Sequence, residues 1–373
     1  MMILNHSLNL TQYLQTLPPD WPGGFWWHWL LFTVVIIVFV LAMVMGFIWF
    51  ERRAMGRMQA RLGPNRTGPF GLLQPVADVI KILIKEDIVP AKGDKWVHWL
   101  APVVALVPVL MIFAVVPFQD GALLADLNIG ILYVVAISSV ATVGIFMAGW
   151  GSSNKYSLLS AMRVVASVIS YEIPVVLSIV GVILIAGSLS LNQIVLAQDI
   201  PFILLQPLGF FLFFIAGCAE INRAPFDLME ADSEIVAGFH IEYSGMKFAL
   251  FYLVEYAEAL VISAIVTTLF LSGWRGPVLP PWLWFLIKTT AVFFVIVWVR
   301  TTVPRVRIDQ LMALAWKFLL PLALINLVIT AIEVVVWPEV LPWTVVFLNL
   351  AIMVVLVVLW SRFFRLGWGR VEA

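Results

Sequence analysis

The chain has 373 residues, of which 62% are hydrophobic and only 12% charged, and its 22 basic and 22 acidic side chains cancel to a net charge of zero. Its mean hydropathy is +1.03. Such a composition excludes an ordinary soluble domain and, lacking a basic excess, gives no sign of a nucleic-acid partner; it fits an all-α, polytopic integral membrane protein.

Residues 1–28 contain no Lys or Arg and include Pro18, Pro19 and Pro22, so they lack the basic n-region of a signal peptide. Apolar runs of about 20 residues, the length that crosses a bilayer, then predict nine spans. They lie near 28–50, 97–117, 129–149, 164–187, 202–221, 247–271, 282–302, 316–337 and 341–361. No internal repeat or low-complexity tract interrupts them, and the chain reads as one membrane domain, 1–373. Its cytoplasmic loops fall at 51–96, 150–163, 222–246 and 303–315, with a C-terminal hairpin at 337–373. Only Arg275 and Lys288 fall towards one side, and the other 20 of the 22 basic residues fall on the opposite side. The positive-inside rule therefore puts the N-terminus outside and the C-terminus in the cytoplasm.

The first loop, ERRAMGRMQARLGPNRTGPFGLLQPVADVIKILIKED, is broken by Gly56, Gly63, Pro64, Gly68, Pro69 and Gly71, which predicts no regular helix before Leu72. From there Leu72, Leu73, Val76, Ile80, Leu83 and Ile84 form an apolar stripe opposite Gln74, Asp78, Lys81 and Lys85. The stripe alone suits a helix lying in the membrane interface. The arginine-rich stretch before it favours a docking surface for another protein.

Glu172 follows Arg163 by nine residues and Glu255 follows Lys247 by eight, so both carboxylates lie at a similar depth from the cytoplasmic side. Eight of the 22 carboxylates fall between Glu220 and Glu258. Each costs roughly 2.5–3.5 kcal/mol to insert in a bilayer, so the cluster requires partners or protons. Few basic residues lie within the spans, which favours coupled, water-lined proton transfer over simple ion pairing. After the seventh span, WVRTTVPRVRIDQLM sets Pro304 among Arg300, Arg305 and Arg307, and the break frees backbone groups that need partners.

One cysteine, Cys218, cannot by itself hold a disulfide framework or an iron–sulfur cluster. The histidines His6, His28, His98 and His240 lie outside spans or at their ends, unlike the mid-membrane pair that holds a b-type haem. No metal site is predicted in this chain.

The first-loop sequence quoted above, GWGSSNKYSLLSAMRVVASVISYE, AEINRAPFDLMEADSEIVAGFHIEYSGMKFALFYLVEY and WVRTTVPRVRIDQLMALAWKFLLP together resemble the membrane subunit that joins the two arms of respiratory complex I, the H-subunit family of bacterial NADH:quinone oxidoreductase. The resemblance covers about residues 29–335, and the C-terminal hairpin adds a span that eight-helix members lack. It implies quinone as substrate, with flavin and iron–sulfur clusters in partner subunits. It also implies hydrophilic-arm partners carrying the terminal cluster and quinone site, small and antiporter-like membrane-arm partners, and the bacterial cytoplasmic (inner) membrane as location. By motif, Arg52, Gln59, Arg61, Asp78, Lys81 and Arg305 would border the quinone passage. Glu51, Glu172, Glu220, Asp227, Glu230, Asp232, Glu234, Glu242 and Glu255 would form an acidic proton path. Arg53 stands where the family often has Lys, and Ser167 where it often has Gln. Glu258 lies outside the motif and rests on its depth alone. An ion-translocating subunit of a membrane-bound hydrogenase or formate-linked complex shares parts of these motifs, and a stand-alone cation-coupled carrier would show the inverted repeats that are missing here.

Overall fold

The computed structural model describes residues 26–120, 123–227, 238–337 and 343–363. Among the described residues all regular elements are helical: α1 (Trp26–Met58), α2 (Gln74–Ile84), α3 (Lys95–Ile112), α4 (Gly130–Gly151), α5 (Lys155–Ala186), α6 (Leu191–Leu196), α7 (Phe202–Leu205), α8 (Pro207–Glu220), α9 (Gly245–Phe270), α10 (Pro281–Thr302), α11 (Ile308–Ala313), α12 (Leu320–Val336) and α13 (Trp343–Phe363). Among the described residues eight stretches are long and apolar enough to cross a membrane: α1 from Thr33, α3, α4, α5, α9, α10, the run Ile308–Val336 and α13.

The fifth predicted span, 202–221, is present in two pieces. Gln206 adopts φ −128° and ψ 63° between α7 and α8. Pro207 causes the break, because proline disfavours a helical residue before it and has no N–H to donate. The Leu205 carbonyl at the break accepts from Asn349 Nδ2 of α13 at 2.7 Å, and Gln206 Nε2 donates to Thr330 of α12 at 2.7 Å. The C-terminal helix α13 thus closes a polar gap inside the bundle, as buried backbone in a bilayer requires.

Two helices begin or end where the sequence predicts loop. α1 continues to Met58, through Gly56, where a side chain would come within 2.8 Å of the Gly63 nitrogen. Glycine is kept there for a close chain crossing and does not end the helix. α5 starts at Lys155, well ahead of residue 164, because Asn154 caps it by accepting from the Tyr156 N–H at 3.0 Å. The predicted break at Pro304 is present. α10 ends at Thr302, and the Val306 N–H bonds the Pro225 carbonyl at 3.0 Å, so one freed backbone group finds its partner in the loop after α8.

α9 occupies the centre, packed against α1, α2, α3, α8 and α10, and every side chain from Ala259 to Phe270 is buried. α3 and α4 lie so close that a side chain at Gly144 would meet Ala105 backbone at 2.6 Å. By contrast, Leu72, Leu73, Val76, Ile80, Leu83 and Ile84 on and before α2 are all exposed. An open apolar stripe of this kind is what the interfacial-helix reading requires.

Candidate functional site

Four charged side chains from distant parts of the chain meet beside α9. Glu51 of α1 is fully buried and accepts from Arg223 Nη1 at 2.6 Å and Arg300 Nη1 at 2.5 Å. Arg223 Nε lies 3.1 Å from Glu255 Oε1, and Arg300 lies 4.0 Å from the same oxygen. The guanidinium of Arg223 stacks 4.0 Å over the Tyr256 ring, whose hydroxyl is 3.2 Å from that of Tyr252. Two carboxylates and two guanidiniums give a neutral, tightly bonded group, the arrangement in which buried charge is tolerated. Burial alone would make the Arg223 guanidinium easier to deprotonate, and Glu51 and Glu255 more than reverse that.

A second set surrounds α2. Arg52 Nη1 pairs with Asp78 at 2.5 Å; Gln74 donates to Asp78 at 3.0 Å and accepts from Thr67 at 2.7 Å. On the other side of α1, Arg53 Nη1 and Trp49 Nε1 both donate to the Phe70 carbonyl, at 2.6 and 3.2 Å. Phe70 (φ 56°) and Gly71 (φ +76°) turn the chain back so that this carbonyl faces α1. Between them lies a groove of about 670 Å³ lined by Trp49, Phe50, Arg53, Ala54, Phe70 and Phe294, among others. Its size is that of a small-molecule site, roughly 300–1,000 Å³, and its walls are mainly apolar.

Of the residues predicted to border a quinone passage, Arg52 and Asp78 are joined, and Gln59 and Arg61 bond each other at 2.8 Å on the exposed loop. Lys81 is exposed on α2, and Arg305 pairs with Asp227 at 2.9 Å. None of these six lines the groove, whose walls include their sequence neighbours Arg53 and Arg57.

The predicted acidic residues divide into several settings. Glu51 and Glu255 belong to the arginine clamp, and buried Asp227 takes Arg305. Glu172 is hydrogen-bonded by Ser139 of α4, whereas the Ser167 hydroxyl turns to the Val164 carbonyl. Glu242 accepts from Asn154 at 2.8 Å and ties the loop before α9 to the start of α5. Burial pushes the nearby His240 down to about 4 against the opposing pull of Asp227, so at neutral pH it adds no positive charge to this loop. Glu220 lines a separate cavity with Glu258. Glu230, Asp232 and Glu234 lie outside the described residues. Among the described residues no group of three or more His, Cys, Asp or Glu could hold a metal ion.

Residues 31–331 match the model of the NADH dehydrogenase family. The chain belongs to that family. Among its relatives, the NADH-quinone oxidoreductase H subunit of Dehalococcoides mccartyi (strain CBDB1) is 63% identical over 350 residues, covering 94% of this chain and 99% of that protein. The corresponding H subunit of Geobacillus kaustophilus (strain HTA426) is 52% identical over 304 residues, 80% of this chain and 91% of that one. The second H subunit of Geobacter sulfurreducens is 49% identical over 308 residues, 80% and 94% respectively. For a member of the NADH dehydrogenase family, the residue that sequence reasoning places least well is Arg223. It stands in a loop, 172 positions from Glu51, and nothing in local spacing signals that it folds inward. The expected shortage of basic partners is corrected by Arg223 and Arg300, which reach the buried carboxylates from outside or from the end of the spans.

Proposed function

We propose that the chain is the membrane subunit of a proton-translocating NADH:quinone oxidoreductase that admits quinone from the bilayer and couples its reduction to proton movement. The observation that carries this reading is the adjacency along α1. Trp49, Phe50, Arg53 and Ala54 line the groove, while Glu51 and Arg52, between them in sequence, reach Arg223 and Asp78. A quinone headgroup in the passage borders Arg52, Gln59, Arg61, Asp78, Lys81 and Arg305. The acidic path runs inward through Glu51, Glu172, Glu220, Asp227, Glu230, Asp232, Glu234, Glu242 and Glu255.

Quinone is the substrate here, and electrons arrive from iron–sulfur clusters and flavin held by hydrophilic-arm subunits. Reduction leaves negative charge, or a demand for protons, beside Arg52. At an effective dielectric of about 20, a unit charge roughly 12 Å away changes a carboxylate's proton affinity by about 1.4 kcal/mol, a tenfold bias. That bias acts first on the Arg52–Asp78 pair and, one residue away on α1, on Glu51 and the clamp. Onward pumping passes to antiporter-like subunits of the membrane arm, in a bacterial cytoplasmic membrane with the N-terminus outside.

Filling the groove tests the access route. With Ala54→Trp in the assembled complex, KM for a long-tailed quinone rises at least tenfold, and a short-tailed, water-soluble quinone is affected less. Unchanged KM and kcat for the long-tailed quinone would remove the groove from the route.

A further inference from the structure

The acidic path as proposed stops at Glu255, yet α9 carries one more carboxylate a turn further on. Glu258 follows Glu255 by three residues, so the two are neighbours on the helix surface. Their surroundings differ. Glu255 is held by Arg223, whereas Glu258 lines a cavity of about 60 Å³ together with Glu220 at the end of α8 and Asn222 just beyond it. Ser138 and Thr142 of α4 reach the same space, and the rest of its wall is apolar, from Val109, Ile112 and Val168 among others.

This chamber is short of hydrogen-bond donors. Among the described residues the side chains of Glu220 and Glu258 make no hydrogen bond or ion pair, although Glu258 is within electrostatic reach of Glu220, Glu255 and Arg223, and Glu220 within reach of Glu172. Asn222 is 4% exposed; its Nδ2 donates to the Glu220 carbonyl at 3.1 Å, and its Oδ1 has no partner. The Ser138 hydroxyl is spent on the Val135 carbonyl at 3.0 Å. Two carboxyl groups and an orphaned amide oxygen can be satisfied only by what brings hydrogens into the chamber. A buried water needs roughly 10–15 Å³ of such space, so the chamber accommodates a short chain of waters. Two carboxyl groups that have no cation bonded to them and face one low-dielectric space do not both ionise, so one proton between them is the stable loading.

Resting on the proposed proton-coupling reading, we infer that the Glu220–Asn222–Glu258 cavity is a proton-holding station: it takes waters and one proton shared between Glu220 and Glu258, and Glu258 connects the arginine clamp to it. Transfer through it forms and breaks only O–H bonds. One carboxyl gives its proton to the adjoining water as the far water protonates the other carboxylate, and no oxidant or reductant is involved. Asn222 Oδ1 accepts from the water chain and keeps it in place.

The test uses the assembled complex in proteoliposomes, with Glu220→Gln, Glu258→Gln and Glu258→Asp. Expected for Glu258→Gln is an at least tenfold fall in proton translocation, with Glu258→Asp, which keeps a carboxyl, retaining a clearly larger fraction. Infrared spectra provide a readout that a merely structural role would not move: the band of one protonated carboxyl diminishes in both Gln variants. Wild-type pumping and an unaltered band in Glu258→Gln, alongside an impaired Glu220→Gln, would overturn the station and leave the wider path standing. Wild-type behaviour of Glu220→Gln would overturn the wider path itself.

Discussion

Replacing Arg223 with Leu is expected to cost the protein roughly 3–5 kcal/mol, the usual penalty for leaving buried charge without its partner. The side chain is 1% exposed and bonds Glu51, itself fully buried, while its Nε approaches Glu255. Leucine fills part of the volume and adds no donor, so Glu51 keeps only Arg300 of its two guanidiniums and Glu255 keeps a contact at 4.0 Å. Thermal unfolding of the detergent-solubilised complex and its assembled yield both drop sharply. Adding Glu255→Leu to Arg223→Leu recovers part of the loss, because an ion pair replaced whole by apolar groups is far less costly than one broken in half. Wild-type melting of Arg223→Leu alone would mean that the clamp contributes little to stability.

A methyl group at Gly71 is expected to abolish quinone reduction and leave the helical bundle folded. Gly71 has φ +76°, where an L side chain costs about 1–2 kcal/mol. The added carbon would also stand 2.2 Å from the Pro64 carbonyl oxygen, so the backbone on one side has to move. The turn Pro69–Gly71 presents the Phe70 carbonyl that receives Trp49 and Arg53, and Phe70 is a wall of the groove. Gly71→Ala therefore spoils the groove without touching a span. Gly46→Ala is the control, since a side chain there meets nothing within 4 Å and alanine favours a helix. Quinone reductase rate and circular dichroism separate the two. Equal activity in both variants would show that the turn's geometry does not shape the substrate's route.

Much of this architecture is legible in the sequence, because span length, loop charge and proline breaks are local signals. Eight of the nine apolar runs are long helices, and the break at Pro304 falls where expected. Pro207, a residue of the same kind, is hidden inside the fifth run, because an apolar average conceals a single missing N–H. Gly56 misleads in the opposite direction: its composition signals a helix breaker, whereas a crossing with Gly63 holds it inside α1. Membrane depth sets Glu172 and Glu255 apart as costly carboxylates, but their partners Ser139 and Arg223 come from other helices and loops. Such pairings depend on tertiary packing and leave no periodic trace. Depth alone singles out Glu258 in the sequence, and its neighbour Glu220 is 38 positions away on another helix.

The most direct test of the coupling role is proton translocation by the assembled complex carrying Glu220→Gln, measured together with quinone reduction and with NADH oxidation by an artificial acceptor that bypasses quinone. The result predicted is an at least tenfold loss of proton translocation and of quinone reduction, with the bypass rate unchanged. Wild-type translocation and wild-type quinone reduction in that variant would contradict an acidic path through this chain.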